Sequence, residues 1–323
     1  MITKTARLSR RTTLLAGVGF ALGAGVGRAF AQPAAEDKRI PENEAYWARM
    51  GVSLAGKTVL VTGSTDGLGK EVARQLGALG AFVIVHGRNP ERGEEVVRAI
   101  KAAGVGDARF HRADLASLTG VAALAETIME TYDRLDVLVN NAAAVSGDER
   151  QTSADGHELA FAVNYLAHFA LTYRLLPLLE ASAPARIVNV SSMGQTPIDF
   201  ADVMMERSYN PGDAYRRSKL AQIMFTIDLA ERLRGSGVTV NSLHPATYMN
   251  TTMVRAGGVT PISTVEQGGE AILHLVSGDD VAGKSGLFFN GMNEARANPQ
   301  AHDAAARQRL RALSLELTGL AAG

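Results

Sequence analysis

The sequence predicts an α/β fold, a single domain built on a doubly wound parallel sheet of about seven strands. Three observations carry that prediction. From Leu54 onward, short apolar runs of strand character alternate with stretches of helical length and pattern. The first run leads directly into a glycine loop and then a helical pattern. Finally, Gly63, Asp114, Asn140 and Ser192 each fall just after a run of strand character, where open α/β sheets present their ligands.

In chain order, strands are expected at 57–62, 81–86, 108–112, 135–139, 186–191, 238–243 and 286–289. Helices are expected at 67–79, 90–103, 117–132, 152–181, 213–235, 264–277 and 300–317. The first strand, KTVLVT, is short, apolar and β-branched. Gly63, Ser64, Thr65, Asp66, Gly67, Leu68 and Gly69 follow, and the helix opens on them. Glycines let a backbone approach a pyrophosphate, and a helix N-terminus offers free N–H groups and a positive dipole end. The spacing is GxxxGxG, unlike the commonest dinucleotide fingerprint. It is not a Walker A loop, because Ser64 stands where that loop needs a glycine and Glu71 where it needs a hydroxyl.

Tyr215 and Lys219 lie four residues apart in DAYRRSKLA, on one face of a helix. A free tyrosine, with a pKa of about 10, exchanges protons poorly near neutrality. A neighbouring ammonium favours the phenolate, and a tyrosine tuned in this way can pass a proton to and from an alcohol oxygen. The pair is a common solvated helix face on its own; here it accompanies the glycine loop.

With both motifs present, residues 54–317 resemble the short-chain dehydrogenase/reductase family, whose fold is a Rossmann-type sheet. TGSTDGLG (62–69) matches the family's cofactor loop, and Ala113-Asp114-Leu115 its acidic turn beside adenine. Asn140-Asn141-Ala142-Ala143 matches NNAG, and Asn164 matches the structural and catalytic asparagine. Ser192, next to Ser191, matches the catalytic serine, and Tyr215 and Lys219 match the YxxxK pair. VNYLAHFALT, SKLAQIMFTIDLAERL and SLHP are similar to the retinol-dehydrogenase-like and protochlorophyllide-reductase-like branch. Ala143 and Ala246 stand where the family has glycine, each adding one methyl group near the nicotinamide.

The resemblance implies hydride transfer between nicotinamide and a carbonyl or alcohol. Ser192 would orient the substrate oxygen, and Tyr215 would donate or accept the proton. Lys219 would lower the tyrosine pKa and hold the ribose. Asn164, through its backbone and a water, would keep Lys219 in place. Cofactor contacts are expected from Gly63, Ser64, Thr65, Gly67, Leu68, Gly69, Arg88, Asp114, Leu115, Asn141, Ala142, Tyr215, Lys219 and Pro245. The second strand ends in Gly87-Arg88-Asn89, with no acid for a ribose 2′-hydroxyl and with Arg88 placed for a 2′-phosphate, so the cofactor expected is NADP(H). The helices over 152–181 and 213–235 match elements that pair in the family's homo-oligomers, although the branch also includes monomers. A non-catalytic NADP(H)-binding sensor or scaffold of the same fold is the alternative, and the intact Asn164, Ser192, Tyr215 and Lys219 set argues against it.

Composition excludes several other classes. The chain has 33 basic and 33 acidic residues, and no basic patch suited to nucleic acid. Its seven histidines are scattered and it has no cysteine, so no metal site is expected. Residues 1–31 carry Lys4, Arg7, Arg10, Arg11 and Arg28 and no acid. An arginine pair, a mild glycine-rich apolar run and Ala29-Phe30-Ala31 spell a twin-arginine export signal, hence a periplasmic protein. The run is short for a membrane span, which needs about 20 apolar residues. Cleavage after Ala31 would leave a net charge of −5. Residues 32–53 read as a polar linker, with Trp47 pinning it to the body. Segments 193–213 and 247–261 should shape the substrate pocket; Tyr248, Met249, Met253 and Val254 in the second suggest an apolar lid.

Overall fold

A computed structural model describes Trp47 and residues 51–321. The export signal expected over 1–31, and the linker apart from Trp47 and residues 51–53, lie outside the described residues.

Strand β1 (Thr58–Val61) is buried along its whole length. Val59 and Val61 enter the core on one face and Leu60 the core on the other, the alternation of a strand covered on both sides. The chain continues through α1 (Gly67–Ala78), β2 (Phe82–Gly87), α2 (Pro90–Ala102), β3 (Asp107–Arg112), α3 (Leu118–Thr131) and β4 (Val137–Asn140). Helix α4 starts at Leu159–Phe161, passes through a π turn at Ala162–Leu166 and resumes at Ala167–Ala181. Then come β5 (Ala185–Val190), α5 (Pro211–Arg232), β6 (Val238–His244), α6 (Thr252–Ala256), α7 (Val265–Ser277), β7 (Phe288–Asn290), β8 (Asn293–Ala295), α8 (Pro299–His302) and α9 (Ala304–Thr318).

The sheet order is β3-β2-β1-β4-β5-β6-β7-β8. Strands β1 to β7 pair in parallel, as expected of a doubly wound sheet. Helices α1, α2 and α7 cover one face; α3, α4 and α5 cover the other. Strand order reverses between β1 and β4, which opens a crevice at their carboxyl ends.

Several elements differ from the sequence expectation. An eighth strand, β8, pairs antiparallel with β7 after a tight turn at Gly291, whose φ is +59°. The helix expected from 152 begins at Leu159, because Thr152 bridges to Glu158 across a turn and the Glu158 carboxylate caps the helix. The helix expected over 300–317 breaks at Asp303, whose side chain accepts from Ala305 and Ala306 N–H to start α9. Trp47 is buried, with its ring 6.3 Å from that of His274 on α7 and nearly parallel to it.

Helix α9 lies over α4 and α5. Leu310 and Ser314 are buried there, and the Ser314 hydroxyl meets the Tyr165 hydroxyl at 2.7 Å. Arg307 reaches Glu231 at 2.8 Å and Arg311 reaches Asp228 at 3.1 Å, both on α5. A homo-oligomer paired through these surfaces would have to displace α9. Among the described residues no helix is long and apolar enough to cross a membrane, and no cluster of three or more potential ligands could hold a metal.

Candidate active site

The crevice at the switch point is a cleft of about 1130 Å³. One end is the glycine loop. Asp66 caps α1 by accepting from Gly67 N–H at 2.8 Å. A Cβ on Gly63, whose φ is +65°, would lie 2.9 Å from the Ala142 backbone, and one on Gly69 would lie 2.3 Å from the Gly63 carbonyl oxygen. Side chains at either position would push the loop and the start of α1 away from the strands. Thr62 ties in the neighbouring loop, its hydroxyl accepting from Asn141 N–H at 2.9 Å and Ala142 N–H at 3.0 Å. The Asn141 amide donates back to the Thr62 carbonyl at 2.8 Å.

Gly63, Thr65, Gly67, Leu68, Gly69, Arg88, Asp114, Leu115, Asn141, Ala142, Ser192, Tyr215, Lys219 and Pro245 all line this cleft, as do Ala143 and Ala246. Two expected site residues do not. Ser64 is fully buried beneath the loop, donating to the Val61 carbonyl at 2.8 Å and accepting from His86 N–H at 2.9 Å. Asn164 is fully buried in the π turn of α4. Its side chain accepts from Ala144 N–H at 2.6 Å, and donates to the Ala144 carbonyl at 3.0 Å and the Ser218 hydroxyl at 2.9 Å.

Tyr215 and Lys219 share a face of α5, a helix capped by Asn210 with Pro211 in its first turn. Lys219 Nζ lies 5.6 Å from the Tyr215 ring centroid. It donates to the Val190 carbonyl at 2.8 Å and to Gln222 Oε1 at 3.0 Å. Burial pushes the Lys219 ammonium down to about 7. Burial raises the Tyr215 phenol above its usual value, and the Ser192 hydroxyl beside it offsets part of that rise. This corrects the direction expected from spacing alone: burial drives both groups toward neutrality. The direct partners of Lys219 are thus a β5 carbonyl and a neighbouring amide on its own helix. The Asn164 carbonyl is engaged by His168 Nδ1 at 3.0 Å, while His168 Nε2 meets Thr62 Oγ1 at 3.0 Å. Burial pushes His168 down to about 3, so its ring is neutral.

The sequence model described as short chain dehydrogenase matches residues 57–258, more than half of the chain. The chain belongs to the short-chain dehydrogenase family. This short-chain dehydrogenase is 37% identical over 287 residues to mouse retinol dehydrogenase 13, covering 83% of this chain and 86% of the relative. It is 38% identical to human retinol dehydrogenase 14 over 294 residues, covering 82% and 87%. The Pseudomonas aeruginosa RhlG/NADP active-site complex superposes with a TM-score of 0.62 at 28% identity, covering 74% of this chain and 96% of that one. The dehydrogenase is thus of the retinol-dehydrogenase-like branch, and its relatives are oxidoreductases.

Sequence reasoning missed several residues around the dehydrogenase's site. Gln222 lies three positions after Lys219, and helical spacing could have found it. The Val190 carbonyl gives no sequence signal, since every residue has one. His86, Asn89, Arg92 and His244 also line the cleft. Arg92 lies 3.6 Å from Asp66, so part of its charge is already answered. Val145, Met193, Tyr248 and Met253 line the mouth with 39%, 46%, 40% and 40% of their surfaces exposed, more than half of the large exposed hydrophobics among the described residues. Segment 193–213 is less free than a lid would be. Gln195 accepts from Asn298 N–H at 2.6 Å, and Gln300 brackets Ile198 with bonds of 2.7 and 3.0 Å.

Proposed function

We propose that this protein is an NADP(H)-dependent oxidoreductase that interconverts a carbonyl and an alcohol on a largely apolar carbon skeleton. The observation that carries the proposal is the placement of Ser192, Tyr215 and Lys219 in the same cleft as the glycine loop. The cleft suits a dinucleotide: it runs from the open N-terminus of α1 to the tyrosine, and its floor needs glycine where a Cβ would collide. A bound nicotinamide supplies or takes the hydride. The glycine loop and Asn141 would hold the pyrophosphate end and Lys219 the ribose hydroxyls. Ser192 would orient the substrate oxygen. Tyr215, kept protonated at neutral pH by burial, would hand its proton to that oxygen as the carbonyl carbon is reduced. In the reverse direction the phenolate would take the proton back. The apolar mouth, and kinship with retinol dehydrogenases, support an apolar substrate.

NADP(H) is favoured over NAD(H) by the end of β2. A Cβ on Gly87 would lie 2.5 Å from the Thr65 side chain, so an acidic side chain has no room there, and exposed Arg88 follows. A hydrogen bond to a charged group contributes about 1.5–3 kcal/mol. Arg88→Asp is therefore expected to lose at least about tenfold in NADP(H) affinity and to gain relative preference for NAD(H), as read by isothermal titration with each cofactor. Equal wild-type affinity for the two would end the NADP(H) assignment.

The export signal supports a periplasmic enzyme that folds around its cofactor before transit. Arg10→Lys with Arg11→Lys should hold the precursor, at full mass, in the cytoplasm. A shortened form still found outside the inner membrane in that double variant would refute the twin-arginine route.

A further inference from the structure

His86, the next-to-last residue of β2, lines the cleft, and the proposed chemistry does not use it. The residue is 2% exposed. Its Nδ1 accepts from Gly63 N–H at 3.1 Å. That bond sets the tautomer: Nδ1 is the acceptor, so the proton sits on Nε2. Two more bonds join the same residues. Ser64 N–H donates to the His86 carbonyl at 2.9 Å, and His86 N–H donates to Ser64 Oγ at 2.9 Å. The first two residues of the glycine loop are thus fastened to the end of β2 by one side chain and its own peptide groups.

The other edge of the ring lies toward the Ala113 backbone. Nε2 is buried and completes no hydrogen bond, although the Ala113 carbonyl lies near enough to raise the ring's basicity. Ala113 and Asp114 form the next wall of the same cleft. Burial outweighs Ala113 and Asp114, and with His111 beside it pushes His86 down to about 4, so the ring stays neutral and the Nδ1 acceptor persists through the neutral range. A protonated ring would present a donor to the Gly63 N–H and open the clasp.

We propose that His86 is a positioning residue for the dinucleotide: its Nδ1 holds Gly63, and hence the pyrophosphate-binding loop, in the conformation that receives the cofactor. The proposal rests on the dinucleotide-binding reading above. Gly63 cannot be held instead by a substitute side chain of its own, because its φ of +65° and its closeness to Ala142 exclude one.

The experiment is titration of the purified chain with NADPH, by calorimetry and by nicotinamide fluorescence, for wild type, His86→Leu, His86→Asn and His86→Gln. Asparagine can place its oxygen where Nδ1 stands; glutamine places its amide near Nε2 instead. A buried donor left unmade costs enough to weaken binding about tenfold or more. His86→Leu and His86→Gln are expected to raise the dissociation constant by that factor, and His86→Asn to stay within about threefold of wild type. A purely structural role would lower melting temperatures in all variants without this affinity pattern or the asparagine rescue. Unchanged affinity in His86→Leu, or rescue by glutamine and not asparagine, overturns the proposal. Should the variants fail to fold, long-range ¹H–¹⁵N spectra of the wild type decide it: Nδ1 must be unprotonated at pH 7, and a proton found there overturns the clasp. A wild type that binds no nicotinamide dinucleotide overturns the functional reading and this one together, whereas wild-type binding with an indifferent His86→Leu overturns this one alone.

Discussion

Tyr215→Phe should fold, bind NADP(H) with near wild-type affinity and lose about 10²–10⁴-fold in kcat on any carbonyl or alcohol the enzyme accepts. The substitution removes the hydroxyl and keeps the ring beside Lys219 and Ser192. In the proposed mechanism that hydroxyl carries the proton, and in the wild type burial holds it protonated at neutral pH. Ser192→Ala should also hurt turnover more than cofactor affinity, since Ser192 faces the substrate oxygen in the proposed mechanism. Full turnover by Tyr215→Phe, on a substrate the wild type reduces, would show that another group supplies the proton. The non-catalytic sensor reading would then gain over the enzyme.

The second large effect concerns Lys219. Its ammonium is buried and pushed from 10.5 down to about 7 in the folded chain. The unfolded chain therefore binds this proton more tightly, and between about pH 7 and 10.5 stability rises with pH. Between pH 7 and 9 the wild type should gain about 2 kcal/mol relative to Lys219→Met, since one pKa unit corresponds to about 1.4 kcal/mol. Chemical denaturation of both proteins at the two pH values checks this, and contributions from all other groups cancel in the difference. Parallel pH profiles for the two proteins would show that Lys219 is not desolvated in the folded state. The same variant should lose activity and bind cofactor more weakly, because the lysine would hold the ribose and steady the phenolate. Cofactor affinity and stability thus respond in opposite senses to one buried ammonium.

Much of this was legible in the sequence, and what was not has physical reasons. Strand–loop–helix order and the spacing of Gly63, Gly67 and Gly69 announced the cleft, because close packing demands glycine there. The i, i+4 interval put Tyr215 and Lys219 on one face, yet spacing reports proximity and not burial, and burial set the direction of both pKa shifts. One partner of Lys219 was hidden because it is a backbone carbonyl on β5, 29 residues away, whereas Gln222 lay within reach of helical spacing. Ser64 sits in a loop that reads as cofactor-facing, but its hydroxyl turns inward because His86 N–H and the Val61 carbonyl lie beneath it. Strand β8 was missed because three residues carry no period, and the start of α4 because a Thr152–Glu158 bridge and a side-chain cap fix it, contacts that a helical pattern does not report.

The C-terminal helix ties the end of the chain to the middle of its chemistry. Tyr165, one residue from Asn164, finds its buried partner at Ser314, 149 positions later in the sequence. Asp228, on the helix that carries Tyr215 and Lys219, finds its cation at Arg311. Without α9 the tyrosine helix would have a bare apolar flank, and Asp228 would keep Arg232 beside it but lose Arg311. Docking of α9 is therefore what gives this helix its final environment. Loss of α9 would therefore be felt at the helix that carries Tyr215 and Lys219, although no residue of α9 lines the cleft.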